Sequence, residues 1–372
     1  MVYLDYAATT PCDPDVIEAM TTVLKGKYGN PSSIHSYGQN SAHLMFQARK
    51  YFAELFGLQP QQALFVPGGT ESDNLALWGS LRARPRRNHF VTTAIEHSAV
   101  AAPMNALAQN GAKVTFVPVD SKGIVDFKRL YDAITPLTNV VSIIHVNNEM
   151  GAIQPLIEIG KIIRDKNPDA WFHTDAVQAF GKVPVPMQEA GIDMVTTSGH
   201  KIYGPLGTGL LLTSARVQLQ PIIYGSRQEY GLRSGTENYV GIHGMHLAAQ
   251  KFLGNRAKHW GHFTSLNERF LKGISSLPVE MLSPPGAVPY IVAIGSSKLP
   301  GAVAVSKLNE YGVAASSGAA CASKAVSPSD VMLALGFKRE LAEGVVRFSF
   351  GIKTTNQEID AALDALKRVY GT

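Results

Sequence analysis

Apolar residues in the first two-thirds of the chain fall in short runs separated by longer stretches of mixed polarity. Ala63–Val66, Phe90–Ala94, Val114–Pro118, Val140–Val146, Trp171–Thr174, Met194–Thr197 and Gly209–Thr213 are rich in Val, Ile, Phe and Thr. Continuous apolar runs of this length, alternating with helical stretches, predict strands buried on both faces of a mostly parallel sheet with helices on either side. The pattern changes after Gly254. A helical stretch over Phe263–Ile274 leads into Ser283-Pro284-Pro285-Gly286, then strand-like Ile291–Ile294 and Val345–Phe350, and a last helix through Asp360–Val369. The expectation is an α/β fold with a large domain over residues 14–254. A smaller α+β domain would be built from residues 255–372 and completed by residues 1–13.

Composition narrows the class. The chain has 372 residues, 45% of them hydrophobic and 17% charged, which fits a globular enzyme and excludes a disordered chain. No apolar run reaches membrane-spanning length. Tyr3-Leu4-Asp5-Tyr6 follows the start with no basic-then-apolar leader, so a cytoplasmic protein is expected. Cys12 and Cys321 are the two cysteines, too few for a disulfide framework. The net charge of +5 is mild, and its densest cluster is Arg82, Arg84, Arg86 and Arg87. Without interleaved aromatics this reads as a solvated loop, and neither a nucleic-acid nor a membrane partner is expected.

The chemistry gathers where strands end. Asp175 follows Trp171–Thr174, and Lys201 lies shortly after Met194–Thr197 in Ser198-Gly199-His200-Lys201. Ligands of parallel sheets bind beyond the strand C-termini. Singly, a lysine is a surface charge and an aspartate a cap. Together at one rim they match what pyridoxal phosphate needs, a Schiff-base lysine and a carboxylate for the ring nitrogen. Pro67-Gly68-Gly69-Thr70 follows a strand and opens a helix, a suitable seat for a phosphate, with Thr70 placed to cap that helix. Gly204–Gly209 lacks a phosphate-loop ending and reads as a tight turn. His97 closes another strand and could stack on a ring or move protons. Asn148 follows the Val140–Val146 run. Arg347 lies inside an apolar strand, where it is costly unless it clamps a carboxylate or pairs with an acid. Cys321, in Ser316-Ser317-Gly318-Ala319-Ala320-Cys321-Ala322-Ser323, has only small neighbours and reads as an accessible thiol; Cys12 lacks such a setting.

Tyr3–Thr10, Gly29-Asn30-Pro31-Ser32-Ser33, Thr70-Glu71-Ser72-Asp73-Asn74, Asn147-Asn148-Glu149, Ser198–Lys201, Arg233-Ser234-Gly235-Thr236-Glu237-Asn238 and Ser316–Cys321 occur in this order. The set resembles the cysteine desulfurases of the fold-type I, class V aminotransferase group, over essentially the whole chain. The longer cysteine-bearing loop is similar to that of the housekeeping and nitrogen-fixation branch. The resemblance implies a fold-type I pyridoxal phosphate-dependent transferase with a seven-stranded sheet. It implies conversion of L-cysteine to L-alanine, the sulfur passing to Cys321 as a persulfide for an iron–sulfur scaffold or another acceptor protein.

It also implies roles by position. Lys201 would hold the cofactor and then act as the base. Asp175 would face the ring nitrogen, Gln178 the phenolic oxygen, and His97 the ring. Gly69, Thr70, Ser198 and His200 would hold the phosphate, joined by Thr236 from the second subunit of a homodimer. Asn148 and Arg347 would bind the substrate carboxylate. No resident metal is implied, although Cys321 could transiently ligate an iron–sulfur cluster. Tyr224–Tyr230 departs from the family's usual histidine, glycine run and Gln-Glu-Arg. A small-amino-acid aminotransferase or a cystine lyase could use the same lysine and aspartate but would need no accessible cysteine.

Overall fold

The fold is described from a computed structural model, covering residues 1–26, 28–318 and 327–371. Its main sheet contains β1 (Ala63–Val66), β2 (His89–Thr93), β3 (Lys113–Val117), β4 (Thr138–Ser142), β5 (Trp171–Asp175), β6 (Met194–Ser198) and β7 (Gly209–Thr213). The spatial order is β1-β7-β6-β5-β4-β2-β3. β7 runs antiparallel to both its neighbours, and the other pairings are parallel.

Alternation along each strand sorts side chains onto two helical layers. Leu64, Val66, Phe90, Val140, Trp171, Met194 and Leu211 pack with Leu75 and Leu77 of helix Gly69–Ala83 and Met104 and Leu107 of helix Ser98–Gln109. Ala63, Phe65, Val91, Val141, Phe172, Val195 and Leu212 face the other way. They meet Phe52, Ile159, Ile163, Met245 and Phe252, from helices Ser36–Leu55, Leu156–Lys166 and Tyr239–Leu253. With both faces covered, side chains that reach solvent must leave from the rims. That geometry places the functional residues.

The C-terminal part forms an antiparallel sheet in the order Ser316–Ser317, Val346–Ser349, Ile291–Gly295, Glu280–Met281. Helices Arg256–Ile274 and Asn356–Tyr370 pack together beside it, with the Phe270 and Phe348 ring centroids 5.0 Å apart. The N-terminus joins this region. Val2–Tyr3 pairs in parallel with Val313–Ala314, and the Ser349 N–H donates to Leu4 O at 2.7 Å. The chain then crosses to the main sheet, where the Thr10 N–H donates to His200 O at 3.0 Å.

Three local expectations change. The apolar run Val140–Val146 is not one strand: β4 ends at Ser142, and Val146 only bridges Ile153. Its N–H groups still follow β5, with His145 donating to Asp175 O at 2.9 Å, while the chain turns Asn147 and Asn148 over the rim. Thr70 does not cap its helix. The N-cap is Gly68, two residues earlier, so the exposed Thr70 hydroxyl is left for other partners. The arginine cluster is more than a solvated loop. Arg84 lies 3.4 Å from the centre of the Trp171 ring and bonds to Asn139, while Arg87 pairs with Asp169 at 2.7 Å.

Candidate active site

A cavity of about 720 Å³ opens at the C-terminal rim of the parallel strands. Its size is that of an ordinary cofactor site. Gly69, Thr70, His97, Asn148, Asp175, Gln178, Ser198, His200, Lys201 and Arg347 all line it. One other expected residue does not, and one lies outside the described residues. Thr236 is exposed in a separate depression beside Arg233 and Asn238. Cys321 falls outside the described residues, but Gly318 and Ser327, which bound that stretch, both line the cavity.

Asp175 is the last residue of β5, and its Oδ1 accepts the Val177 N–H at 2.9 Å. Burial raises its pKa, partly countered by His97 and Lys201. Lys201 ends the one-turn helix Gly199–Lys201 that follows β6. A side chain on Gly199 would run into the Thr208 hydroxyl, so only glycine permits this tight exit from the strand. Lys201 Nζ donates to Ala7 O at 2.5 Å and Ala8 O at 2.7 Å. Gln178 Nε2 donates to the same Ala7 oxygen at 2.8 Å. The N-terminal segment therefore supplies the carbonyls that hold the reactive amine.

His97 is the N-cap of helix Ser98–Gln109, its Nδ1 accepting the Ala99 N–H at 3.1 Å. That bond requires an unprotonated Nδ1 and leaves Nε2 as the proton carrier. Burial lowers the His97 pKa and so favours the neutral ring. His200 is held near Thr9, Nδ1 to Oγ1 at 3.1 Å, and burial beside Lys201 and Lys182 lowers it to about 4. Arg347 is paired with an acid, one of the two readings of its buried charge. Its Nη2 bonds to Asp5 Oδ1 at 2.8 Å, its Nη1 donates to Asn148 O at 2.9 Å, and Nε has no hydrogen-bond partner among the described residues.

Uncompensated polar atoms are the strongest test of whether pyridoxal phosphate fits. Gln178 Oε1 and Asn148 Oδ1 are likewise buried without a hydrogen bond among the described residues. Asp175 is a buried carboxylate at the cavity wall, and a bound cationic ring nitrogen would offset its charge. The Gly69 turn and the Thr70, Ser198 and His200 side chains offer phosphate donors on the same cavity. The residues present fit the group.

The sequence model of the Aminotransferase class-V family matches residues 2–362. A cysteine desulfurase IscS of Dictyoglomus turgidum is 38% identical over 372 residues, covering 99% of this chain and 94% of that protein. The chain belongs to the cysteine desulfurases of the class-V aminotransferase family. Solved structures agree with this. A NifS-like protein superposes with a TM-score of 0.93 at 33% identity, over 99% of this chain and 98% of its own. SspA, solved in complex with cysteine, gives a TM-score of 0.84 at 31% identity, over 94% and 99%. As in its family, the cofactor is pyridoxal 5′-phosphate.

Several cavity residues of this class-V aminotransferase-family chain escaped the sequence reading. Glu96 accepts from Thr93 Oγ1 at 2.6 Å and from the Ile144 N–H at 3.0 Å, and burial pushes it up to about 8. Asp73 is fully buried, 3.4 Å from His173 Nε2. Burial and the neighbouring Asp175 raise it well above the carboxylate range. Glu149 bonds to Ser329. In sequence, Asp73 and Glu149 are parts of motifs without assigned roles, and burial alone distinguishes them from surface acids. The atypical Tyr224–Tyr230 segment is anchored from within. Arg49 grips Glu229 with two bonds of 2.8 and 2.7 Å, and Glu229 and Tyr230 take left-handed φ of 44° and 57°. Among the described residues no helix is long and apolar enough to cross a membrane.

Proposed function

We propose that this chain removes the sulfur of L-cysteine as a persulfide on Cys321 and releases L-alanine. The observation carrying this reading is that Lys201, Asp175 and Arg347 share one cavity with Gly318 and Ser327, the described residues on either side of the Cys321 stretch. The kinship with cysteine desulfurases, one fold relative being solved with cysteine, supports the substrate.

Bound pyridoxal phosphate supplies a covalent link to the substrate amine and an electron sink for charge that develops at Cα. Lys201 would hold the cofactor, and its Nζ would carry the proton to and from the substrate Cα. Asp175 would face the ring nitrogen, whose positive charge would favour its ionised form, and His97 would stand by with its transferable proton on Nε2. Arg347 Nε has no hydrogen-bond partner among the described residues and would bind the substrate's carboxylate, with Arg347 already oriented by Asp5, while Asn148 would add its side-chain amide N–H. The Cys321 thiolate attacks the substrate sulfur. An S–S bond forms, the C–S bond breaks with its electron pair going to carbon, and a proton added there completes alanine. One thiol and one cysteine become one persulfide and one alanine, so no outside oxidant or reductant is needed for that half.

The finer reading includes a large cofactor domain over 14–254 and a small domain over 1–13 and 255–372. It includes a homodimer in which Thr236 serves the partner's phosphate, delivery to an iron–sulfur scaffold or another acceptor, and a cytoplasmic setting. The exposure of Thr236, away from its own cavity, supports the dimer.

The test follows sulfide and alanine together, with L-cysteine and a thiol reductant, beside Cys321→Ala and Lys201→Ala. Equal amounts in the parent and loss in both variants, with Cys321→Ala still yellow, are expected. Sulfide at the parent rate from Cys321→Ala, accompanied by pyruvate, would make the chain a lyase.

A further inference from the structure

Glu149 follows Asn148 in the chain and lines the same cavity as Arg347, Gly318 and Ser329. Ser329 Oγ donates to Glu149 Oε2 at 2.5 Å, and the same hydroxyl oxygen accepts the Met332 N–H at 3.1 Å as the N-cap of helix Asp330–Ala334. A Cβ placed on Gly318 would stand 3.2 Å from Glu149 Oε2, so a side chain there would meet the carboxylate. Arg347 acts on the same carboxylate electrostatically. Its strand also carries the flank, since Ser316 pairs with Arg347 and Ser317 with Val346. Glu149 itself is held by its neighbour, its N–H donating to Asn147 Oδ1 at 2.9 Å.

We propose that Glu149 is a positioning residue that ties the carboxylate-binding pair Asn148 and Arg347 to both flanks of the Cys321 segment. This rests on the reading of Cys321 as the sulfur acceptor. One carboxylate group bonds to Ser329, stands where a Cβ on Gly318 would meet it, and answers to Arg347, so occupation of Arg347 by a ligand is felt at both flanks. The groups facing Glu149 oppose one another. Arg347 and the Ser329 hydroxyl favour its ionised form, whereas burial, the largest influence, and Asp330 raise it, to about 7. A carboxylate balanced in this way responds to small changes in charge beside it.

The experiment uses holoenzyme carrying Cys12→Ser, which leaves Cys321 as the sole thiol. Iodoacetamide alkylation of Cys321 is timed with and without saturating L-alanine, whose carboxylate takes the substrate's place. In the parent L-alanine changes the alkylation rate about fivefold or more, and Glu149→Ala reduces this to near unity. Glu149→Ala also lowers kcat about tenfold with KM for L-cysteine within about twofold. Ser329→Ala weakens the same response from the opposite side and serves if Glu149→Ala does not fold, and Glu149→Gln keeps an acceptor for Ser329 without the charge. An L-alanine effect of parental size in both alanine variants, or none in the parent, overturns the proposal. Full desulfuration by Cys321→Ala would overturn the underlying reading instead.

Discussion

Glu96 illustrates how a residue with no sequence signature acquires a distinct chemistry. Burial moves its pKa from 4.5 to about 8, against two hydrogen bonds that favour the anion. The folded chain then keeps a proton that the unfolded chain releases. Between those pH values the native state binds more protons, so stability falls as pH rises and the loss is complete above about 8. Glu96→Gln has no such proton to lose and keeps an acceptor for Thr93 and Ile144. Melting near pH 5 should be almost unchanged, whereas at pH 9 the variant should melt higher by about 4 °C. Parallel pH curves for parent and variant would contradict the assignment. Lys201 and Asp175 were legible because their position at strand ends is written in the apolar runs before them. Glu96, Asp73 and Glu149 were not, because what sets them apart is the protein around them, assembled from distant segments.

At the scale of elements, the Gly68-Gly69 turn, proposed to seat the phosphate, depends on a strand from elsewhere in the chain. β7 pairs antiparallel with β1, bringing Gly209 opposite Val66 and onto the backbone of Gly68. A Cβ on Gly209 would lie 2.6 Å from Gly68 Cα, and backbone cannot yield as a flexible side chain does. Overpacking of this kind costs about 1–3 kcal/mol. Gly209→Ala should therefore displace the Gly68 N-cap and weaken cofactor binding about tenfold. Titration of cofactor-free protein with pyridoxal phosphate, read by absorbance, checks this. An unchanged dissociation constant would show that Gly209 and the turn are not coupled. The apolar runs foretold the strands of the main sheet with small shifts at their ends, except that Val140–Val146 runs on well past the end of β4 at Ser142. They missed Glu280–Met281 and Ser316–Ser317, each two residues long, which pair because the neighbouring strands hold them rather than by their own pattern. The cap at Gly68 was missed for a related reason. A helix start was sought in a capping side chain, and this one begins from extended glycine backbone.

At the scale of the molecule, the first ten residues connect the two sheets. They pair with Val313–Ala314 and Ser349, present Ala7 and Ala8 to Lys201, supply Asp5 to Arg347, and end on His200. The Lys201 amine and the Arg347 guanidinium are thus positioned by one segment, and the described flanks of the Cys321 stretch meet the same cavity. The sequence showed this segment as a motif but not its long-range contacts, which exist only once both sheets have formed. The central claim is that the sulfur of L-cysteine passes to Cys321. The most direct measurement is peptide mass spectrometry of the holoenzyme after L-cysteine, without reductant. The account predicts one added sulfur atom on the Cys321 peptide, none on the Cys12 peptide, and none anywhere in Lys201→Ala. Alanine formed at the parent rate with Cys321 left unmodified throughout would contradict it.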